Sequence, residues 1–587
     1  MLKEAVYHRP KLNWAFAYDE RTVVLRLRAK RGDVAAAEVL HGDKFQPFAE
    51  MRTSSMRKAY EDELFDYWEA DVRPDFRRLA YAFALKLHDA DGGTAVWYTE
   101  KGFSAEPPDE HFGLFEFPFL HASELFQPPA WVKDAVFYQI FPERFANGDP
   151  SNDPEGALPW GGKPEWHNYF GGDLKGVLER LDHLAELGVN AIYFTPLFQA
   201  RTNHKYDTED YLRVDPHFGD NALLKKLVTA CHARGIRVML DAVFNHAGGT
   251  FPPFLDVKAN GAASKYADWF HVRSFPLRKE DGVPTYDAFA FEEHMPKLNT
   301  AHPAVQDYLL GVARYWIEEV GIDGWRLDVA NEVDHRFWRK FRDVVKAAKP
   351  DCYILGEMFH DAVMWLQGDQ FDAVMNYPFT GAALDFFARD KLDARGLADA
   401  MQRQLASYPR QASEAMFNLL DSHDTPRLLT VCGGDKRRLK LAALFQLTFP
   451  GAPCIYYGDE VGMAGEGDPD CRRCMVWDPA EQDRELFAFY QNAIRLRRAH
   501  AALRAGSIRF LLSEPGDGRV LYERGDGSER LLVALNRSEA EAAFPLPHQA
   551  GASGWRLAFA GEGAAASGER LKLPPYGFAV LRPATKT

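Results

Sequence analysis

"GWRLDVANE" occupies residues 324–332 and sets an arginine and an aspartate two positions apart inside a run of buried-type side chains. Successive strand residues face opposite sides, so Arg326 and Asp328 are predicted to share one face while Trp325, Leu327 and Val329 take the other. Burying charge is costly unless it meets partners or serves chemistry. Such a strand belongs where its polar face has company.

Working outward, seven further short apolar runs resemble it: "AVFYQIF", "VNAIYFTPLF", "IRVMLDAVFNH", "CYILGEM", "FDAVMNY", "AMFNLLDSH" and "APCIYYGDE". Stretches of helical period separate many of them, among them "DLKGVLERLDHLAELG", "NALLKKLVTACHARG" and "HPAVQDYLLGVARYWIEEVG". Eight strands each followed by a helix or insertion predict an α/β fold, a (β/α)8 TIM barrel over 126–246 and 301–503. Residues 247–300 are too many for a simple loop after strand three and predict a small inserted subdomain over the barrel mouth.

The flanks read as all-β. Near the start, "TVVLRLRAK" and "LAYAFALKL" alternate, with Tyr81, Phe83, Leu85 and Leu87 on one face and "DADGG" as a following turn, which predicts a β-sandwich over 1–125. "FQPPAW" at 126–131 reads as the linker into the barrel. Near the end, "RVLYERGDGSERLLVALNRS" reads as a hairpin about Gly525-Asp526-Gly527, and 504–587 as a second β-sandwich.

The 587 residues are too many for one core, and 46% hydrophobic content suffices to fill several. A net charge of -14 without long runs of one sign argues against nucleic acid as a partner. No stretch of signal-peptide or membrane-span character occurs, so no membrane partner and a cytoplasmic location are expected. Six cysteines do not make a disulfide framework, and Cys471 with Cys474 lack the second pair that a zinc knuckle requires.

Barrel enzymes work at the C-terminal ends of their strands. Here those ends carry Asp241, Asn245 and His246 on strand three, Arg326 and Asp328 on four, Glu357 on five, and His423 and Asp424 on seven. Taken singly, each has an ordinary reading: a buried ion pair, a solvated strand end, a satisfied histidine. Their convergence on one mouth argues for chemistry, and glycoside cleavage needs such a set. Asp328, paired with Arg326, suits attack on the anomeric carbon. Glu357, crowded by carboxylates, suits proton donation, and Asp424 is a third acid able to grip hydroxyls. His246 and His423 are expected to hydrogen-bond the same sugar.

"DAVFNH", "GWRLDVANE", "GEM" and "LLDSHDTPR" together resemble the four signature regions of the α-amylase family of glycoside hydrolases (family 13). "MPKLN" at 295–299 and the "VANE" ending are similar to its neopullulanase, cyclomaltodextrinase and maltogenic amylase branch. The resemblance implies Asp328 as nucleophile, Glu357 as acid/base and Asp424 as transition-state stabiliser. It implies substrate contacts from Tyr206, His246, Phe289, Arg326, Asn331, Glu332, Phe359, His423 and Arg427. It further implies α-1,4 cleavage in cyclodextrins, maltooligosaccharides and pullulan, and a homodimer whose starch-binding-like N-terminal domain narrows the cleft. Phe359 stands where the branch usually carries tryptophan, which leaves hydrolysis against transglycosylation open. The oxygen-rich turn "NGDPSNDPEG" with "GGD" resembles the branch's structural calcium site, implying Asn147, Asp149, Asn152, Asp153, Gly171 and Asp173 as ligands. Competing readings are an α-1,6-debranching enzyme or glucosyltransferase on the same barrel, and a non-catalytic glycan-binding relative.

Overall fold

A computed structural model of the chain describes residues 1–88, 95–548 and 554–584. The predicted "DADGG" turn lies outside the described residues. The barrel strands are β1 (Phe137–Ile140), β2 (Ala191–Phe194), β3 (Arg237–Ala242), β4 (Gly324–Leu327), β5 (Tyr353–Gly356), β6 (Ala373–Val374), β7 (Phe417–Leu419) and β8 (Ala452–Tyr456). They run parallel in the order β6-β5-β4-β3-β2-β1-β8-β7, and a parallel bridge between Met375 and Phe417 joins the two ends into a closed barrel. All eight coincide with the apolar runs read from the sequence.

Register decides what faces the axis. Asp241 of β3 pairs with Arg326 of β4, and paired residues of parallel strands point the same way, so the two side chains meet inside. Trp325 and Leu327, fully buried, point outward beneath the surrounding helices. Burial of a side chain such as Leu327 contributes about 1.5–3 kcal/mol. The helix Asn221–Ala233 shows how the outer layer is held: Asp220 caps it by accepting from the Leu223 N–H, and Leu224, Leu227, Val228 and Cys231 bury one stripe. The stretch 173–188, one helix by period, is two, Leu174–Glu179 and Leu181–Leu187, meeting at Arg180.

Alternation fails at one place. β4 stops at Leu327, and Val329 adopts a left-handed backbone with φ of 46°. It therefore leaves the packed face predicted for it and lines the cleft instead. β-branched residues rarely adopt that conformation, and strain of this kind collects at functional sites.

Before the barrel, a four-stranded and a six-stranded sheet are built from strands within 15–117, and after it a five-stranded and a three-stranded sheet from strands within 507–583. Tyr81, Phe83 and Leu85 are buried as expected. Ala80 and Ala82 on the opposite face are buried too, against Leu114, so this strand is covered on both sides. The hairpin at 525–530 forms with Gly525 paired to Arg530. "FQPPAW" is a packed connection: Phe126 joins the barrel's core, and Trp131 sets its ring against Phe137 and Tyr353. No helix among the described residues is long and apolar enough to cross a membrane.

Candidate active site

A cleft of about 470 Å³ opens at the C-terminal ends of the strands, lined among others by Tyr206, His246, Phe289, Asp328, Glu357 and Asp424. Arg326 lies at its floor with no exposed surface. One guanidinium nitrogen donates to Asp328 Oδ1 at 2.7 Å and to Asp241 Oδ2 at 3.0 Å, and the other lies 2.7 Å from Glu357 Oε1. The arginine is thus shared by three carboxylates and is not Asp328's private counter-ion. One positive charge does not offset three negative ones in a buried site. Burial pushes the Asp241 carboxyl up to about 6 against the pull of Arg326. It pushes Asp328 up as well, again opposed by the guanidinium.

Glu357 follows Gly356, where a Cβ would lie 2.5 Å from the Phe371 ring, so only glycine brings β5 close enough. Its Oε2 accepts from the Val329 N–H at 2.9 Å. The left-handed turn at Val329 aims that N–H, which ties the strain to the placing of the acid.

The histidines sit in neutral form. Burial drives His246 down to about 3 and His423 well below its ordinary value. Gln139 Nε2 donates to His423 Nδ1 at 2.8 Å, which leaves the ring proton on Nε2, directed at the Tyr206 hydroxyl (2.7 Å) and Asp424 (3.3 Å). Tyr206 in turn donates to Asp241 Oδ2 at 3.1 Å. His246 receives Asn245 Nδ2 at Nδ1, while its buried Nε2 has no hydrogen-bond partner among the described residues. A buried N–H left unpaired at a cleft wall is a ready donor for a ligand hydroxyl.

Phe289 stacks on His246, and Phe359, 60% exposed, stacks on Tyr377 with ring centres 3.9 Å apart. Asn331 lines the cleft; Glu332 beside it pairs with Lys297 of "MPKLN" at 3.0 Å. Arg427 does not reach the cleft. It is fully buried, its Nε donates to the Cys471 carbonyl (2.9 Å), and one terminal nitrogen donates to the Tyr457 carbonyl (2.7 Å) and to Asp459 (3.2 Å). The expectation of a substrate contact is corrected: this arginine fixes backbone.

What it fixes matters, because residues 468–472 carry cleft groups that the sequence reading passed over. Arg472 donates to the His423 carbonyl at 2.8 Å and reaches Asp424 at 3.4 Å and Asp468 at 3.0 Å. Three consecutive carbonyls, of Cys471, Arg472 and Arg473, are gripped by Arg427, Arg144 and the Tyr457 hydroxyl. Cys471 and Cys474 in this segment are both buried thiols, and Cys471 donates to the His423 carbonyl. Trp166, His204 and Met295 also line the cleft. "DCRR" held a usable signal, paired charges beside a buried cysteine.

At the turn after β1, the oxygen-rich residues gather. Asp173 accepts from the N–H groups of Gly148 and Asp149, Asp153 accepts from Asn147 Nδ2 at 2.7 Å, and a Cβ at Gly171 would collide with Asp153 and Asn147. The side-chain oxygens of Asn147 and Asn152 are buried without a hydrogen-bond partner among the described residues. Two orphaned amide oxygens beside two carboxylates fit a hard cation. Asp149 differs: its exposed carboxylate caps Ser151.

A closed parallel barrel with three carboxylates, a shared arginine and neutral histidines around one cleft defines a glycoside hydrolase. Residues 139–506 match the α-amylase catalytic domain, 1–121 the α-amylase N-terminal ig-like domain and 508–580 the maltogenic amylase C-terminal domain. The chain belongs to the α-amylase family. It is 61% identical to a cyclomaltodextrinase of Bacillus sp over 92% of this chain and 96% of that one, and 47% identical to neopullulanase 2 of Thermoactinomyces vulgaris over 99% of each. A solved cyclomaltodextrinase structure superposes with a TM-score of 0.94 at 57% identity, covering 99% of this chain and 100% of that one.

Proposed function

We propose that the protein is a retaining α-glucan hydrolase that cleaves α-1,4 bonds of cyclodextrins, maltooligosaccharides and pullulan, and starch more weakly. The observation that carries this is the seating of Asp328 and Glu357 on the two terminal nitrogens of one guanidinium. That seating suits the short separation of a retaining pair, about 5–5.5 Å, and not the roughly 6.5–9.5 Å that leaves room for water in inverting enzymes. Asp328 attacks the anomeric carbon while Glu357 passes its proton to the departing glycosidic oxygen. Glu357, now a carboxylate, then takes a proton from water, and the resulting attack frees the sugar from Asp328. Asp424 and the His246 and His423 N–H groups bind the hydroxyls of the reacting sugar, and Tyr206 offers its ring as a platform. An exposed Phe359 gives an acceptor sugar a stacking surface, which supports some transglycosylation.

The relatives' names support the substrate class. A structural calcium held by Asn147, Asn152, Asp153, Asp173 and the Gly171 carbonyl would pin the turn after β1 to the following helix. Exposed Phe45 and Phe112 in turns of the N-terminal domain, 75% and 76% accessible, support a homodimer through that domain. An intracellular maltogenic amylase of Bacillus subtilis, 47% identical over 91% of this chain and 91% of that one, supports a cytoplasmic location.

The test is reducing-sugar release from β-cyclodextrin, pullulan and soluble starch. The expected order is β-cyclodextrin first and starch last, with panose from pullulan; absence of release from all three sinks the hydrolase reading, and maltotriose from pullulan would mark an α-1,6-debranching enzyme.

A further inference from the structure

We infer that Trp166 carries a remote glucan subsite, in which a chain leaving the cleft crosses the indole and enters a second trough. The inference rests on the hydrolase reading above. Trp166 is 57% exposed, an unusual state for the largest side chain, and it lines both the cleft and a neighbouring hollow of about 570 Å³. One wall of that hollow is the loop carrying Lys163, Glu165 and His167, and the other carries Glu466 and Asp470. The loop is held firmly: Asn203 Nδ2 donates to the Trp166 carbonyl at 3.2 Å and the Asn168 carbonyl at 2.9 Å, and Asn168 Oδ1 accepts from the Glu165 N–H. The backbone that carries the indole is thus anchored, and a tryptophan ring has only two torsions to order when a ligand covers it.

The side chains of Lys163, Glu165, His167 and Glu466 make no hydrogen bond or ion pair with other described residues. They are free to bond hydroxyls on either side of a chain. Direction follows from the cleft. Glu357 protonates the leaving group and Phe359 follows it by two residues, whereas the hollow beside Trp166 is walled by Glu466, Pro469 and Asp470, on the same segment as Asp468 and Arg472, whose guanidinium reaches Asp424 at 3.4 Å. The trough therefore receives sugars on the donor side, past those reached by Arg472. A neutral, polyhydroxylated chain is the ligand these groups fit, with an aromatic face below and mixed-sign polar groups beside it.

The experiment compares wild type, Trp166→Ala and Trp166→Phe on maltotriose through maltoheptaose, and maps the bond cut in end-labelled maltoheptaose. Loss of the indole should raise KM for maltohexaose and maltoheptaose roughly three- to tenfold, the worth of one aromatic contact. Maltotriose should be unaffected, the cut in maltoheptaose should shift, and Trp166→Phe should recover most of the loss. An equal loss on maltotriose, or unchanged KM and cleavage pattern on long chains, overturns the subsite. A wild type that cleaves no maltooligosaccharide overturns the hydrolase reading and the subsite together, a result distinct from turnover indifferent to Trp166.

Discussion

β4 and the loop after β7 each carry a fully buried arginine within a few residues of a cleft carboxylate, yet the two do different work. Arg326 spends its donors on the carboxylates of Asp241, Asp328 and Glu357. Arg427 donates to the carbonyls of Cys471 and Tyr457 and to a single carboxylate, Asp459, and lies over the rings of Tyr456 and Tyr457 at 4.3 and 4.8 Å. Residue type and burial are the same; the partners differ. A cation among carboxylates sets protonation and charge at the reacting atoms, whereas a cation among carbonyls immobilises a loop.

The largest effects fall on the carboxylates around Arg326. Glu357→Gln and Asp328→Asn should each lower kcat by several orders of magnitude with the melting temperature nearly unchanged, as single-turnover rates and calorimetry would report. Near wild-type turnover in either variant removes that residue from its role.

Arg326→Met comes next. It leaves three buried carboxylates without their cation, and breaking such a pair costs about 3–5 kcal/mol. Turnover should fall roughly 10²- to 10³-fold, the scale of a lost electrostatic stabiliser. The Asp241 and Asp328 carboxyls, already raised by burial, rise further without the guanidinium, so these two fold protonated. Their penalty is present at neutral pH and fades as pH falls through their folded values. The variant should thus regain melting temperature relative to wild type between pH 7 and 5; a gap independent of pH would show that Arg326 serves packing alone.

Arg427→Lys probes the contrasting region. Lysine keeps the charge and loses the fork that holds the Cys471 carbonyl. We expect kcat/KM on maltooligosaccharides to fall about tenfold and the loss to vanish in an Arg472→Ala background, because the effect travels through the 471–473 segment. An equal loss in both backgrounds would assign Arg427 to general stability.

The contrast also explains what was legible in the sequence. The eight strands were, since apolar β-branched runs broken by helical period carry the barrel's own pattern. So was the placing of Asp328, Glu357, Asp424 and Tyr206 at the cleft and of His423 beside Tyr206, since these residues sit at strand ends or in motifs. Arg427 was misread because a motif gives position and not direction: three residues beyond Asp424 the chain has turned, and its side chain enters the wall behind the cleft. Asp468, Arg472 and Trp166 were missed because they stand on loops, whose path is set by distant buried groups such as Arg144 and Asn203. Val329 was misplaced because alternation holds only while the strand lasts.

The smallest effect separates fold from site. His8, buried between the Arg26 carbonyl (2.8 Å) and the Tyr81 hydroxyl (2.7 Å) in the N-terminal sheets, is pushed down to about 3 by burial, as His246 is in the cleft. A histidine lowered on folding is neutral in the native state and stabilises fully only above its unfolded value of 6.5. That stability drains as pH falls from there toward about 3. Asp241, raised to about 6, has the opposite sign and gains stability as pH falls below it, so the acid slope of the whole chain mixes both. His8→Gln isolates one contribution, because glutamine can keep both hydrogen bonds and cannot titrate. Between pH 6.5 and 4.5 wild type should lose roughly 2 kcal/mol more than the variant, read as a few degrees of melting temperature. The pH profile of kcat/KM should be the same for both proteins, since His8 is remote from the cleft. A shifted profile would mean that the N-terminal sheets reach the reacting groups, and parallel melting curves would mean that His8 is already solvated.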